Sequence, residues 1–154
     1  MKRSRVLVLG LLLFVASCVS LPGGPYEEER ARLQRNRERW RAHGVDSYEY
    51  EFRRVCFCPP NLVGPVRVRV ERGRVVAANR VETGEPVPED DLRHFPPVEG
   101  LFDAVEEAVR REVGALEVTY DPEYGYPTRI WIDVMPDAVD DGVVYTASRF
   151  RPAS

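Results

Sequence analysis

Tyr48, Tyr50 and Phe52 alternate with Glu49, Glu51 and Arg53, a period of two that predicts a strand buried on one face. Val66, Val68 and Val70 alternate with Arg67, Arg69 and Glu71 and predict a second strand. Arg72-Gly73 reads as a tight turn, and Arg74 to Val81 returns as a third strand. Upstream the period lengthens. Tyr26, Leu33 and Trp40 recur every seven residues, so 26–43 is predicted as a helix with a thin apolar seam. Glu27, Glu28 and Glu29 open it, arginines crowd its end, and Gly44 stands where a left-handed stop belongs. Arg30, Arg32, Arg35, Arg37, Arg39 and Arg41 fill the rest. They read as a solvated face with pairs such as Glu28 and Arg32, or as a surface for anionic headgroups.

The same order of elements then recurs. Residues 82–97 are polar and proline-rich, hence a loop. Val98, Leu101, Phe102, Val105, Val109 and Val113 form the strongest amphipathic stripe in the chain, with Gly114 as its end. Strands follow at Leu116–Tyr120, at Thr128–Val134 with Ile130, Ile132 and Val134 on one face, and at Val143–Phe150. The expected fold class is therefore α+β. Two approximate helix-strand-strand-strand units form a mainly antiparallel sheet, with both helices on one face. The opposite face carries Arg67, Arg69, Trp131 and Asp133 and is either wet or a binding surface.

The amino terminus changes the picture. Lys2, Arg3 and Arg5 precede an apolar run from Val6 to Ala16, too short to span a bilayer, and Val15-Ala16-Ser17-Cys18 ends it. This is the pattern of a bacterial lipobox: 1–17 is read as a lipoprotein signal peptide, 18–25 as lipidated Cys18 plus tether, and 26–151 as one domain. The expected partner is then the membrane, through the anchor at Cys18. Val19 after the cysteine leans toward the outer membrane of a double-membraned cell. The leader holds three of the 22 basic residues and none of the 25 acids, so the mature chain carries 19 against 25, a net −6. That balance argues against nucleic acid as a partner.

With Cys18 lipidated, Cys56 and Cys58 in "VCFCPP" are the remaining thiols. An oxidising compartment favours a disulfide between them. Their Cα atoms lie about 7 Å apart in an extended strand, so bonding needs a bend or bulge. Pro59-Pro60 and a slip of apolar phase between Phe52 and Val55 both point to one. A soft-metal site on two thiolates, a redox pair and an unbonded buried pair stay open as alternatives.

Chemistry elsewhere is sparse. "DAVDDG" at 137–142 lacks the spacing and distal Glu of a calcium loop. Asp121 and Asp133 as a glycosidase pair would need a sugar cleft that so small a chain offers little room for. Ser47 and Ser148 have no nucleophile elbow. No catalytic residue, metal site or cofactor is assigned. The candidate binding surface is Tyr120, Asp121, Tyr124, Tyr126, Trp131 and Asp133, where aromatics surround the "YDPEYGYP" turn. A satellite cluster over the sheet edge is the competing account of the tyrosines.

A tryptophan in a first helix, a Tyr-x-Tyr strand, Cys56-Phe57-Cys58-Pro59, then Tyr120-Asp121, Gly125-Tyr126-Pro127-Thr128, Ile132-Asp133 and Asp140-Asp141 complete a set of motifs. Over Trp40 to Phe150 the chain resembles an uncharacterised family of bacterial secreted proteins and lipoproteins, a domain of unknown function. The resemblance implies a small extracytoplasmic α+β domain and no activity. The layout is also similar to β-lactamase-inhibitor-like and PepSY-like modules, at the level of fold alone. The expected function is non-catalytic binding or an envelope-accessory role, the partner being an envelope protein or ligand. The alternative is thiol redox or soft-metal handling by Cys56 and Cys58.

Overall fold

In a computed structural model, which describes residues 24–134 and 142–153, every predicted helix and strand is present. Helix α1 spans Pro25–His43 and ends on Gly44, whose φ of 62° is the left-handed stop anticipated above. Strand β1 (Tyr48–Val55) returns alongside, and β2 (Gly64–Glu71) and β3 (Arg74–Arg80) continue as an antiparallel meander. Arg72 and Gly73 both take positive φ (50° and 74°), the geometry of a two-residue turn whose twist matches its strands. Helix α2 (Val98–Arg111) leads into a second meander, β4 (Ala115–Tyr120), β5 (Pro127–Asp133) and β6 (Val143–Pro152). The six strands form one antiparallel sheet in the order β3-β2-β1-β6-β5-β4.

Several details depart from expectation. The loop at 82–97 contains a 3-10 helix at Glu89–His94 and a bridge from Asn79 to Pro86. Helix α2 stops at left-handed Glu112 (φ 49°) rather than at Gly114, with the Val113 N–H donating to the Ala108 carbonyl. Val134 lies past the end of β5 and is exposed, so it does not share the buried face of Ile130 and Ile132. The two units are not placed alike either: β1 is central, whereas β4 is an edge.

The core follows the alternation. Tyr48, Tyr50 and Phe52 are buried with Val66, Val68 and Val70. Both helices reach Tyr48: the Trp40 indole of α1 meets its ring at 5.4 Å, and the Val98 N–H of α2 donates to its hydroxyl at 2.8 Å. A register shift on β6, centred on Arg149 with φ 53°, is a bulge that inverts the alternation. It turns Phe150 into the core, against Trp40, Tyr48, Tyr124 and Tyr126. No described helix is long and apolar enough to cross a membrane.

Candidate functional site

Strand β1 and its partners run in continuous register from Glu51 to Val55. The apolar phase slip there is therefore not a bulge. Arg54 takes the core-side position instead, its guanidinium lying over the Phe52 and Tyr145 rings and donating to the His94 carbonyl. Val55 is left on the opposite face, 49% exposed. The chain then bends. The Cys58 N–H donates to the Cys56 carbonyl at 2.9 Å, a three-residue turn that draws the two Cα atoms to 5.2 Å, within disulfide range. Cys56 and Cys58 are joined by that bond. Pro60–Leu62 forms a 3-10 turn directly after, and Arg80 fastens it by donating to the Asn61 and Val63 carbonyls. Both ends of the bend are held, and Phe57 at its apex is 93% exposed.

Beside it runs a cross-strand row: Val55 pairs with Val144, and Val144 with Trp131. Together with Cys56, Phe57 and Gly142 these side chains line a shallow groove of about 430 Å³. The next rows are polar. Arg53, Thr146, Arg129 and Thr119 stand in register, and further along Glu51 is held between Arg67 (3.1 Å) and Arg149 (3.4 Å). A charged sheet face thus carries one apolar corner.

The six residues of the expected binding surface do not meet there as a set. Tyr120 stacks on Phe102 and donates to Glu29 Oε1 at 2.8 Å. Asp121 Oδ1 accepts the N–H groups of Glu123 (2.9 Å) and Tyr124 (2.7 Å) and so builds its own turn. Gly125 closes that turn at φ 82°, and a Cβ there would lie 2.6 Å from the Asn36 carbonyl oxygen, so only glycine lets the turn seat on α1. Tyr124 lies between His43 and Phe150, and Tyr126 is 4% exposed. The tyrosines are packing residues of the helix side. Trp131 faces the corner, and Asp133 ends β5 opposite Ala115, partly buried. Val55, Phe57 and Val144 join Trp131 at this corner, and the phase slip before Val55 marks the place in the sequence without giving its direction.

Burial raises the hydroxyl pKa of Tyr48, Tyr50 and Tyr120, helped by Glu99 for the first two and by the Glu29 hydrogen bond for the third. Burial, then the Asp121 carboxylate, pushes Tyr126 up to about 12. Among the described residues no three His, Cys, Asp or Glu side chains converge as a metal-ligand set. Asp137, Asp140 and Asp141 lie outside the described residues, as does Cys18.

Two of the motifs read in the sequence acquire structural meaning here. The Trp40 indole donates to Glu99 at 3.0 Å, Tyr48 touches the same carboxylate, and Tyr50 donates to the Pro96 carbonyl. The Trp and Tyr-x-Tyr motifs therefore fasten α1 and β1 to the start of α2. No curated protein and no solved structure matches the chain. A profile described as a family of unknown function matches residues 32–152, which takes in all six strands, and the chain therefore belongs to the DUF6174 family.

Proposed function

We propose that this is a lipid-anchored, extracytoplasmic domain that works by binding and not by catalysis, with the Val55–Phe57–Trp131 corner as its contact site. The observation that carries the reading is Phe57, a large apolar side chain 93% exposed on a bend fastened at both ends. Phe57 does not stand alone: it adjoins Val55, Val144 and Trp131, and an ordered apolar corner on a charged face is what a recognition surface offers. Val55, Cys56, Phe57, Trp131, Gly142 and Val144, which line the groove, supply no general acid or base. The anchor rests on the order of charge, apolar run, small residues and Cys18, and the bonded cysteines suit an oxidising compartment.

The test is a photo-reactive residue at position 57 of the full-length chain in cells, with exposed Arg74 as the control position. Adducts form at 57 and not at 74, and Cys18→Ser moves the protein from the membrane fraction to the soluble one. An absence of adducts at 57 overturns the contact site, and a Cys18→Ser protein that stays with membranes overturns the anchor. The thiol rival, redox or soft-metal chemistry at Cys56 and Cys58, draws on the same exposed bend. A folded Cys56→Ser/Cys58→Ser pair that keeps the adducts removes it.

A further inference from the structure

The path of the chain fixes which end of the domain carries the apolar corner. Tyr26, in the first turn of α1, donates to the Val113 carbonyl, two residues before β4 begins. The first residue of β4, Ala115, pairs with Asp133 at the end of β5, and Leu116 pairs with Ile132, which pairs with Val143 at the start of β6. Val144 in turn pairs with Val55 at the end of β1. The start of α1 and the Phe57 bend therefore lie at one end of the molecule. The other end holds the C-terminus of α1, where His43 contacts the Glu123 carbonyl, and the 121–126 turn. Val55 to Trp131 spans two strand spacings and Trp131 to β4 a third, about 14 Å in all.

That end is also where the chain enters the domain from Cys18. The seven residues 18–24 reach about 25 Å at full extension. Helix α1, with 19 residues, is about 28 Å long. A chain held at Cys18 thus keeps its entry end within reach of the anchoring surface, and the tether is too short to let the domain turn over freely. Among the described residues, the large apolar side chains at this end are Phe57 (93% exposed), Val134 (51%), Val55 (49%) and the partly buried Trp131, with the exposed acids Glu27, Glu28 and Glu112 beside them. Phenylalanine and tryptophan are types that sit at a bilayer interface.

We propose that the occupant of the apolar corner is the bilayer that holds the anchor: Phe57 enters its interfacial layer, with Trp131 and Val55 behind it, and so fixes the orientation of the domain. The polar rows of that sheet face, at Arg53 and then at Glu51, stand farther from the lipid along the strands. This deepens the contact site proposed above and rests on the anchored reading, so its test supplies a tether of its own.

The chain starting at Cys18, which keeps every described residue, has one free thiol when Cys56 and Cys58 are bonded. That thiol is coupled to a maleimide-headgroup lipid in phosphatidylcholine vesicles, with and without bromine on the acyl chains, and tryptophan emission is read. Trp40 is 3% exposed and sits toward the far end of α1, which makes it an internal reference. Brominated lipid quenches the Trp131 share of the emission, and Phe57→Ser, at a position the fold does not bury, restores most of it. Equal emission in both vesicles, or equal quenching in Phe57→Ser, overturns the proposal and leaves a protein partner as the occupant. A native protein whose mass shows no acyl chain on Cys18 defeats the anchored reading, while the vesicle result still decides the corner.

Discussion

Tyr48 is the residue at which the helices and the sheet are joined. Its hydroxyl accepts the Val98 N–H and donates toward Glu99, and its ring packs on Trp40 and Phe150. Tyr48→Phe keeps the ring and strips a buried N–H of its acceptor, which costs about 1–3 kcal/mol. Urea titration will show the midpoint falling by that free energy divided by the slope, with the slope itself unchanged. The tyrosines also set the alkaline limit. An unfolded tyrosine titrates near 10 and folded Tyr126 near 12, so the folded state keeps a proton that the unfolded state loses. The contribution is fully present below pH 10 and is lost as pH rises through about 12, and Tyr48, Tyr50 and Tyr120 act in the same direction. The melting temperature will fall between roughly pH 10 and pH 12, and Tyr126→Phe will lessen that slope. Burial of Tyr48, Tyr50 and Phe52 was readable from alternation alone. The places of Tyr124 and Tyr126 were not, because the surface that buries them belongs to α1, far away in sequence.

At the level of elements, the arginine-rich helix is less solvated than its composition implies. Arg32 pairs with Glu29 at 2.6 Å, not with Glu28, lies over the Tyr120 ring and donates to the Val118 carbonyl at 3.0 Å. Val118 belongs to β4, an edge strand, so Arg32 occupies an acceptor that another chain's strand would use. Arg37 joins α1 to α2 through Asp103 and Glu106. Arg32→Ala uncaps the edge and leaves Glu29 without its cation. A loss of about 1–3 kcal/mol follows, together with self-association that sedimentation will detect; a monomeric, equally stable variant would show that Arg32 is surface ornament. The Cys56–Cys58 clip is a smaller element. Its loop of about three residues removes little chain entropy, so Cys56→Ser/Cys58→Ser lowers stability by only about 1–2 kcal/mol, read by denaturant titration. Sequence spacing showed that the pair needed a bend. It did not show that Val55 would turn outward with Phe57, since that depends on Arg54 filling the core position between Phe52 and Tyr145.

In the whole molecule, the two helix-strand units cross over rather than stand side by side. Helix α1 precedes the first meander yet packs on α2, through Arg37 to Asp103 and Glu106, and reaches the second meander through Glu29 on Tyr120, Arg32 on Val118, and Trp40 on Tyr126 and Phe150. The first meander is met instead by the segment leading into α2, where Phe95 packs on Phe52, Tyr50 reaches Pro96 and Tyr48 reaches Val98. Strands β1 and β6 then join the two meanders through the middle of the sheet. Helix α2 packs on β4 and β5 of its own half, but the first meander is covered by residues that precede or open α2, and α1 leans on the second half, so the first half retains no closed core when the second leaves. A sequence read as two similar units invites the expectation of two melting units; the crossed packing requires one. Calorimetry on the domain of about 130 residues will give a single transition of about 90 kcal/mol with equal calorimetric and van't Hoff enthalpies. Val66→Ala in β2 and Ile130→Val in β5, both at buried positions, will lower that same transition. Two resolved transitions, each moved by only one of these substitutions, would mean that the halves are held together by the β1–β6 seam alone.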